Sequence, residues 1–155
     1  MTAQQLRPGV PPEDAETPAP RLGIVIVAHG ALAGALLEAL EHVVGPLQNA
    51  RAIPIAPADD LHARQGEIDA AVAEVDTGAG VVLVTDMFGG TPSNLALGAM
   101  TRPGIDVIYG ANLPLLIKLA KCRERTLAEA AHSALEAGKK YIDSAGRMLE
   151  PAASE

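Results

Sequence analysis

The chain has 155 residues, of which 48% are hydrophobic and 20% charged, a composition typical of one globular domain with a buried core. Its net charge of −7 and its three aromatic residues, Phe88, Tyr109 and Tyr141, argue against nucleic-acid binding. The single cysteine, Cys122, excludes an internal disulfide and fits a reducing compartment. The sequence contains neither an apolar run of about 18 residues nor a signal-peptide pattern, so we predict a cytoplasmic protein.

Both ends of the chain are predicted to lie outside the folded domain, and residues 1–20 have almost no large apolar side chains. Residues 1–20 contain five prolines, and we predict a disordered leader there because such a segment cannot bury enough surface to fold. Residues 146–155 are predicted to form a flexible tail. The residues between them, 21–145, are predicted to form a single α/β domain.

The first half of this domain alternates between apolar runs and helical patterns. Strands are predicted over residues 22–28 and 51–55. The helix between them is predicted to end at Gly45 and to bury four apolar residues at helical spacing: Leu32, Leu36, Leu40 and Val43. A second helix, capped by Asp59 or Asp60, is predicted to bury a similar stripe: Leu61, Ile68, Val72 and Val75.

The second half repeats the alternation and ends in two helices. Strands are predicted over residues 81–84 and 105–109. Helices are predicted over residues 92–100, from Asn112 to about Glu124, and from a Thr126 cap to about Lys140. The segment Lys139–Ala145 is compatible with the last turns of the fifth helix or with a short final strand.

This order of elements predicts a parallel sheet of about four strands, in the order 2-1-3-4, with helices on both faces. The strand order reverses between strands one and three, and open α/β sheets bind ligands at such a point, outside the carboxyl ends of the strands. His29 follows strand one and Asp86 follows strand three. The topology therefore predicts that these two side chains meet.

The loop after Asp86 has the composition of an anion site. Gly89 and Gly90 allow a tight turn with a close approach to the backbone, and Pro92 suits the first turn of a helix. Free amides and the helix dipole at such a start favour a phosphate group. Thr91 is predicted either to cap the helix or to bind the anion through its hydroxyl.

A histidine, an acid and an anion site together suggest phosphoryl transfer onto histidine. Asp86 accepting a hydrogen bond from Nδ1 of His29 would leave Nε2 as the nucleophile, and would stabilise the positive charge that grows on the ring. Gly89, Gly90 and Thr91 would bind the phosphoryl group. The remaining histidines, His42, His62 and His132, are predicted to lie on the surface.

The motifs of competing sites are missing from the sequence. No G-x-G-x-x-G follows the first strand, no lysine follows Gly90 as in a P-loop, and no G-x-S-x-G elbow is present. No histidine pair has metal-ligand spacing, and one cysteine cannot form a zinc site. We therefore predict no metal and no cofactor.

The chain resembles the IIA component of the mannose/sorbose-type bacterial sugar phosphotransferase system over residues 22–145. The segments that carry the resemblance are Ile24–Gly30, which ends in the histidine, Val84–Asn94, and Gly110–Leu116 after strand four. It departs from the family at two positions: Ala28 stands where threonine is frequent, and Phe88 where tryptophan is frequent.

The resemblance implies roles for residues and partners. His29 would accept a phosphoryl group from the phosphohistidine of HPr and pass it to a IIB component, with Asp86 orienting the ring and Thr91 contacting the phosphoryl group. The protein would be a homodimer in which a C-terminal strand, here within Lys139–Ala145, is exchanged between subunits. Contact with the membrane would be indirect, through IIC and IID partners. Phe88 would either dock a partner or pack over its loop.

Two other functions fit the same resemblance. The fold also serves as the phosphoryl-carrying subunit of the phosphotransferase-dependent dihydroxyacetone kinase. A regulatory protein, whose phosphorylation state controls a binding partner without any role in transport, is the second alternative.

Overall fold

The computed structural model describes residues 19–152 of the chain. Most of the predicted leader, residues 1–18, and the last residues of the predicted tail, 153–155, lie outside the described residues. Four parallel strands form one sheet, in the order β2-β1-β3-β4: β1 (Gly23–His29), β2 (Ala50–Ile55), β3 (Val81–Thr85) and β4 (Ile105–Ile108). The predicted strand order is therefore confirmed.

Six helices accompany the strands in the described part of the chain: α1 (Leu32–Val44), α2 (Leu61–Val75), α3 (Thr91–Gly98), α4 (Leu113–Lys121), α5 (Leu127–Lys140) and α6 (Ala145–Leu149). Residues on alternate faces of the sheet belong to two separate cores. Ile24 and Ile26 pack with α1, α4 and α5, whereas Val25 and Val27 pack with α2 and α3. Because both faces are covered, the central strands β1 and β3 are apolar up to their last residues, His29 and Thr85.

The apolar stripe of α1 differs from its prediction. Leu40 is fully buried as expected, but Leu32 and Val43 are exposed, and Ala33 is buried in their place. The reason is the turn before the helix: Gly30 adopts a left-handed φ of 56°, and Ala31 then starts the helix without a side-chain cap. The turn sets the rotation of α1, so the small Ala33 lies in the core with the side chains of β1.

The two acids that the sequence offers as the cap of α2 have different roles in the structure. Asp60 caps the helix, since its carboxylate accepts hydrogen bonds from the amides of His62 and Ala63. Asp59 accepts from the amide of Ala56 and pairs with Arg64. The predicted inner stripe of α2 is correct except at Leu61, which lies in the first turn and is exposed.

The end of the described chain is helical where a strand was one of two options. Lys139 and Lys140 belong to the last turn of α5, and residues 139–145 contain no strand. Helix α6 occupies the start of the segment predicted as a tail, and all of its side chains are exposed. No helix within residues 19–152 is both long and apolar enough to cross a membrane.

Arg123 connects the amino ends of β1 and β2, at the end of the sheet opposite to His29. Its buried guanidinium donates hydrogen bonds to the carbonyls of Leu22, Gln48 and Asn49. Burial, helped by the nearby positive charge of Arg21, lowers the pKa of Arg123 from its usual value. The three carbonyls partly offset the cost of burying this charge, so we assign Arg123 a role in the fold.

Candidate functional site

His29 and Asp86 meet at the carboxyl end of the sheet, as their strand positions predict. Nδ1 of His29 lies 2.7 Å from Oδ2 of Asp86. The same oxygen accepts the backbone N–H of His29 at 3.0 Å, and Oδ1 accepts the N–H of Met87 at 2.9 Å. The Asp86 side chain is 13% exposed and that of His29 is 50% exposed. The acid is thus anchored from both strands, while the imidazole remains open to solvent.

The charge state of Asp86 decides which nitrogen of His29 carries the proton. Burial alone would raise the pKa of Asp86, but the hydrogen bonds from the backbone and ring of His29, with that from Met87, outweigh it and hold the pKa below its usual value. An ionised carboxylate can only accept hydrogen bonds, so the proton in this contact sits on Nδ1. In the neutral ring, Nε2 then carries a free lone pair.

Gly90 lies directly against the Nε2 side of this ring. A Cβ atom added to Gly90 would stand 2.9 Å from Cε1 and 3.2 Å from Nε2 of His29. No side chain larger than hydrogen fits there without displacing the imidazole. Gly89, the residue before it, adopts a left-handed φ of 87°, which favours glycine. Glycine is therefore favoured at the two positions for different reasons: Gly89 makes the turn, and Gly90 leaves room for the His29 ring.

Thr91 does not cap α3, so the first of its two predicted roles is wrong. The N-cap is Gly90, which has no side chain to offer, and Thr91 is the first helical residue. It is exposed, and its hydroxyl makes no capping hydrogen bond. The hydroxyl is therefore available to a ligand at the start of the helix. Gly90 takes the cap position because Pro92 then falls within the first turn, where its missing N–H is harmless.

Ser93 is a part of this loop that the sequence analysis missed. Its fully buried hydroxyl accepts the N–H of Gly89 at 3.0 Å and lies 3.0 Å from the carbonyl oxygen of Gly90, to which it donates. The N–H of Gly89, predicted as part of the anion site, is thus already bound. A hydroxyl residue in the first turn of a helix that follows two glycines was the available signal.

The amides of Gly90, Thr91 and Ser93 have no acceptor among residues 19–152. Unpaired N–H groups of this kind are usual at the start of a helix, where they bind anions together with the helix dipole. Since a Cβ atom on Gly90 would stand 3.2 Å from Nε2 of His29, these donors begin next to the ring. The arrangement can bind a phosphate-sized anion next to a nucleophilic nitrogen.

Phe88 packs against another aromatic ring and is nevertheless exposed, so its docking of a partner stays a prediction. Its ring packs edge-on against Tyr109, with the ring centroids 5.0 Å apart and the planes at 76°. The residue nevertheless stays 69% exposed, and its neighbour Met87 is exposed too. Tyr109, which the sequence patterns did not single out, therefore supports Phe88 on the exposed apolar loop that follows Asp86.

The other histidines lie on the surface, as predicted. His42 and His62 are exposed, and His132 pairs with Glu136 on the outer face of α5, with 3.3 Å between Nε2 and Oε1. Within the described residues, no group of three or more His, Cys, Asp or Glu side chains is arranged to hold a metal ion. Cys122 is buried.

Comparisons by sequence and by structure both match this chain to IIA components of phosphotransferase systems. A family model, EIIA-man, described as the PTS system fructose IIA component, matches residues 23–136. The mannose-specific EIIAB component of Escherichia coli K12 is 30% identical over 124 residues, which are 78% of this chain and 38% of that protein. This chain therefore spans less than half the length of that relative.

A shorter relative and a solved structure agree with this match. The sorbose-specific EIIA component of Lacticaseibacillus casei is 32% identical over 98 residues, 63% of this chain and 70% of that protein. The mannose/sorbose-specific IIA subunit from Enterococcus faecalis superposes with a TM-score of 0.72 at 26% identity, covering 80% of this chain and 94% of that one.

Proposed function

Since the chain belongs to the EIIA-man family of phosphotransferase-system IIA components, we propose that it is a histidine phosphocarrier. In this proposal, His29 accepts a phosphoryl group from the phosphohistidine of an HPr-type donor and passes it to a IIB-type partner. The observation that carries the proposal is the His29 ring, which Asp86 holds through Nδ1 while Nε2 faces Gly90 at the start of α3.

The transfer needs one bond formed and one broken. The lone pair of Nε2 attacks phosphorus in line, a new N–P bond forms, and the electron pair of the donor's N–P bond returns to the donor's ring. Positive charge grows on the His29 imidazole as it attacks, and the Asp86 carboxylate 2.7 Å from Nδ1 stabilises it. The phosphorylated donor and the phosphorylated His29 are both phosphoramidates of similar energy. We therefore propose a phosphotransferase without a nucleotide or a metal cofactor.

The start of α3 supplies the positive side of the site. The unpaired amides of Gly90 and Thr91, the Thr91 hydroxyl and the helix dipole would bind the phosphoryl oxygens. Such fixed donors are already oriented before the transfer, so no reorganisation of solvent or protein is needed to stabilise the developing charge.

The exposed apolar side chains near His29 support a protein partner over a small molecule. Met87 and Phe88 follow Asp86 directly and are 55% and 69% exposed. Exposed apolar side chains of this size, next to a reactive histidine, are typical of a protein-docking surface. We propose that the donor docks here, with the cytoplasm as its compartment.

A labelling experiment tests the proposal. Incubation with phosphoenolpyruvate, enzyme I and HPr is expected to load one phosphoryl group per chain, labile in acid and stable in alkali. Peptide mass spectrometry should locate it on His29, with the exposed histidines His42, His62 and His132 as internal controls in the same molecule. An acid-stable label, a label on another histidine or no label would overturn the proposal.

We also propose that the protein is a homodimer in which a second copy covers the carboxyl-terminal apolar residues. Tyr141, Ile142, Met148 and Leu149 are 65–82% exposed in the single chain, an unusual density of large apolar groups for a free surface. Sedimentation equilibrium is expected to return twice the mass of one chain, and the double variant Ile142→Asp, Leu149→Asp should return one. A wild-type chain that sediments as a monomer at micromolar concentration would contradict this.

A further inference from the structure

The peptide group between Gly89 and Gly90 is the most mobile kind of backbone unit, because neither neighbour carries a side chain to restrict its rotation. It is also the unit that matters most to the site, since its N–H belongs to Gly90, where an added Cβ would stand 3.2 Å from Nε2 of His29. A rotation of this peptide by half a turn would replace the N–H with a carbonyl oxygen. That oxygen would repel a phosphoryl group.

The hydroxyl of Ser93 binds the backbone on both sides of this peptide. It accepts the N–H of Gly89, which precedes the peptide, and donates to the carbonyl of Gly90, which follows it. The same carbonyl also accepts the N–H of Asn94 at 3.1 Å, the first hydrogen bond of α3. With both flanks tied to the helix, the peptide between them is held in one orientation.

Ser93 itself is well placed to act as an anchor. The residue is fully buried in the first turn of α3, and its hydroxyl both accepts a hydrogen bond from the loop and donates one to it. Its side chain makes no hydrogen bond to His29 or Asp86, and burial keeps it from a docked partner. Any effect of Ser93 on the transfer must therefore pass through the loop.

We propose that Ser93 is a positioning residue for phosphoryl transfer, which orients the Gly89–Gly90 peptide so that the Gly90 amide faces the phosphoryl group on His29. This inference rests on the proposed function and deepens it, because it assigns the orientation of the anion site to a single buried hydroxyl. Loss of that hydroxyl lowers the population of the productive orientation, and the transition state loses a pre-oriented donor.

Two substitutions separate the hydrogen bonds from the packing. Ser93→Ala removes both the hydroxyl and its volume, whereas Ser93→Cys keeps a group of at least the same size with weak hydrogen bonding. Both are expected to lower the maximal rate of transfer from phospho-HPr about tenfold, a fraction of the loss measured when a donor is removed outright. The donor concentration at half-maximal rate should stay the same, since Met87 and Phe88 are unchanged.

A small donor and a backbone measurement complete the test. Phosphoramidate, which needs no docking surface, should show the same tenfold loss in both variants. The amide of Gly89 should exchange with solvent faster in both, because its acceptor is removed in Ser93→Ala and weakened in Ser93→Cys. As a matched control, Ala96→Gly weakens the same helix at a buried position away from the loop and should lower the melting temperature without altering the rate.

The outcomes distinguish this inference from the proposed function. A wild-type chain that takes no phosphoryl group on His29 overturns the proposed function. A phosphorylated wild type with an equally fast Ser93→Ala variant overturns only the role of Ser93. Full recovery of the rate in Ser93→Cys would also overturn it, because packing and not hydrogen bonding would then explain the loss.

Discussion

Replacing Asp86 with asparagine is expected to slow phosphoryl transfer to His29 by a factor of roughly 10² to 10⁴ while the chain still folds. Asparagine has the same shape but only one oxygen. Asp86 uses one oxygen for the backbone and ring of His29 and the other for the amide of Met87. In either orientation of the asparagine amide, one of these donors faces an NH₂ group.

Both orientations of the asparagine impair the attack. With the NH₂ group toward His29, the ring is driven to the tautomer that carries its proton on Nε2, which then has no lone pair to attack phosphorus. With the oxygen toward His29, the tautomer is kept, but the negative charge that stabilises the growing imidazolium is gone. The maximal rate should therefore fall without a change in the donor concentration at half-maximal rate, because the acid is only 13% exposed and does not reach the docking surface.

Rapid-quench kinetics with phospho-HPr measure the effect, and Asp106→Asn is the matched control. Asp106 lies on β4, pairs in register with Val82, and its carboxylate also accepts a backbone N–H, from Val107. Asp106 thus accepts a similar local hydrogen bond but lies near the amino end of its strand, away from the site. Transfer at the wild-type rate in Asp86→Asn would remove the acid from the mechanism.

The free energies of unfolding of the wild type and of the Asp86→Asn variant should depend differently on pH. The folded-state pKa of Asp86 is depressed, so the carboxylate contributes stability above its unfolded value of about 3.9, and this contribution is lost as the pH falls through the folded-state pKa. The asparagine variant lacks this titration. The difference in free energy of unfolding between wild type and variant, measured in urea, should therefore be largest above about pH 4 and shrink below it.

The part of the site that could be predicted from sequence is the part that follows from topology. Apolar runs alternating with helical patterns lead to a parallel sheet, and its reversal point brings His29 and Asp86 together although 57 positions separate them. This inference needs no side-chain detail, because the carboxyl ends of parallel strands share one edge of the sheet.

The sequence-based predictions that are wrong depend on the backbone conformation of single residues. The rotation of α1 is set by the left-handed Gly30, which apolar spacing alone does not reveal, so Leu32 was expected inside. The cap of α3 falls on Gly90 and not on Thr91, a shift of one residue that frees a hydroxyl. Ser93 looked like an ordinary helical residue, because its role exists only once the Gly89–Gly90 turn is folded over it.

Gly90→Ala is expected to lower the transfer rate by about a hundredfold with little effect on the fold, a loss comparable to that from misplacing a reacting group by about 1 Å. The backbone of Gly90 is extended, with φ −98° and ψ 173°, which alanine also adopts, so the substitution adds no backbone strain. The new Cβ meets the imidazole alone at close range, 2.9 Å from Cε1 and 3.2 Å from Nε2.

The imidazole can relieve this contact only by moving, and each movement is harmful. A ring that swings away breaks its hydrogen bond with Asp86, and its proton is then no longer held on Nδ1. A ring that stays has a methyl group beside Nε2, where phosphorus must approach. Gly34→Ala is the matched control, since nothing lies within 4 Å of the Cβ it would add on α1. Its rate should equal that of the wild type. A Gly90→Ala rate within threefold of wild type would show that the ring has room to spare, and that Gly90 does not limit the approach of the phosphoryl group.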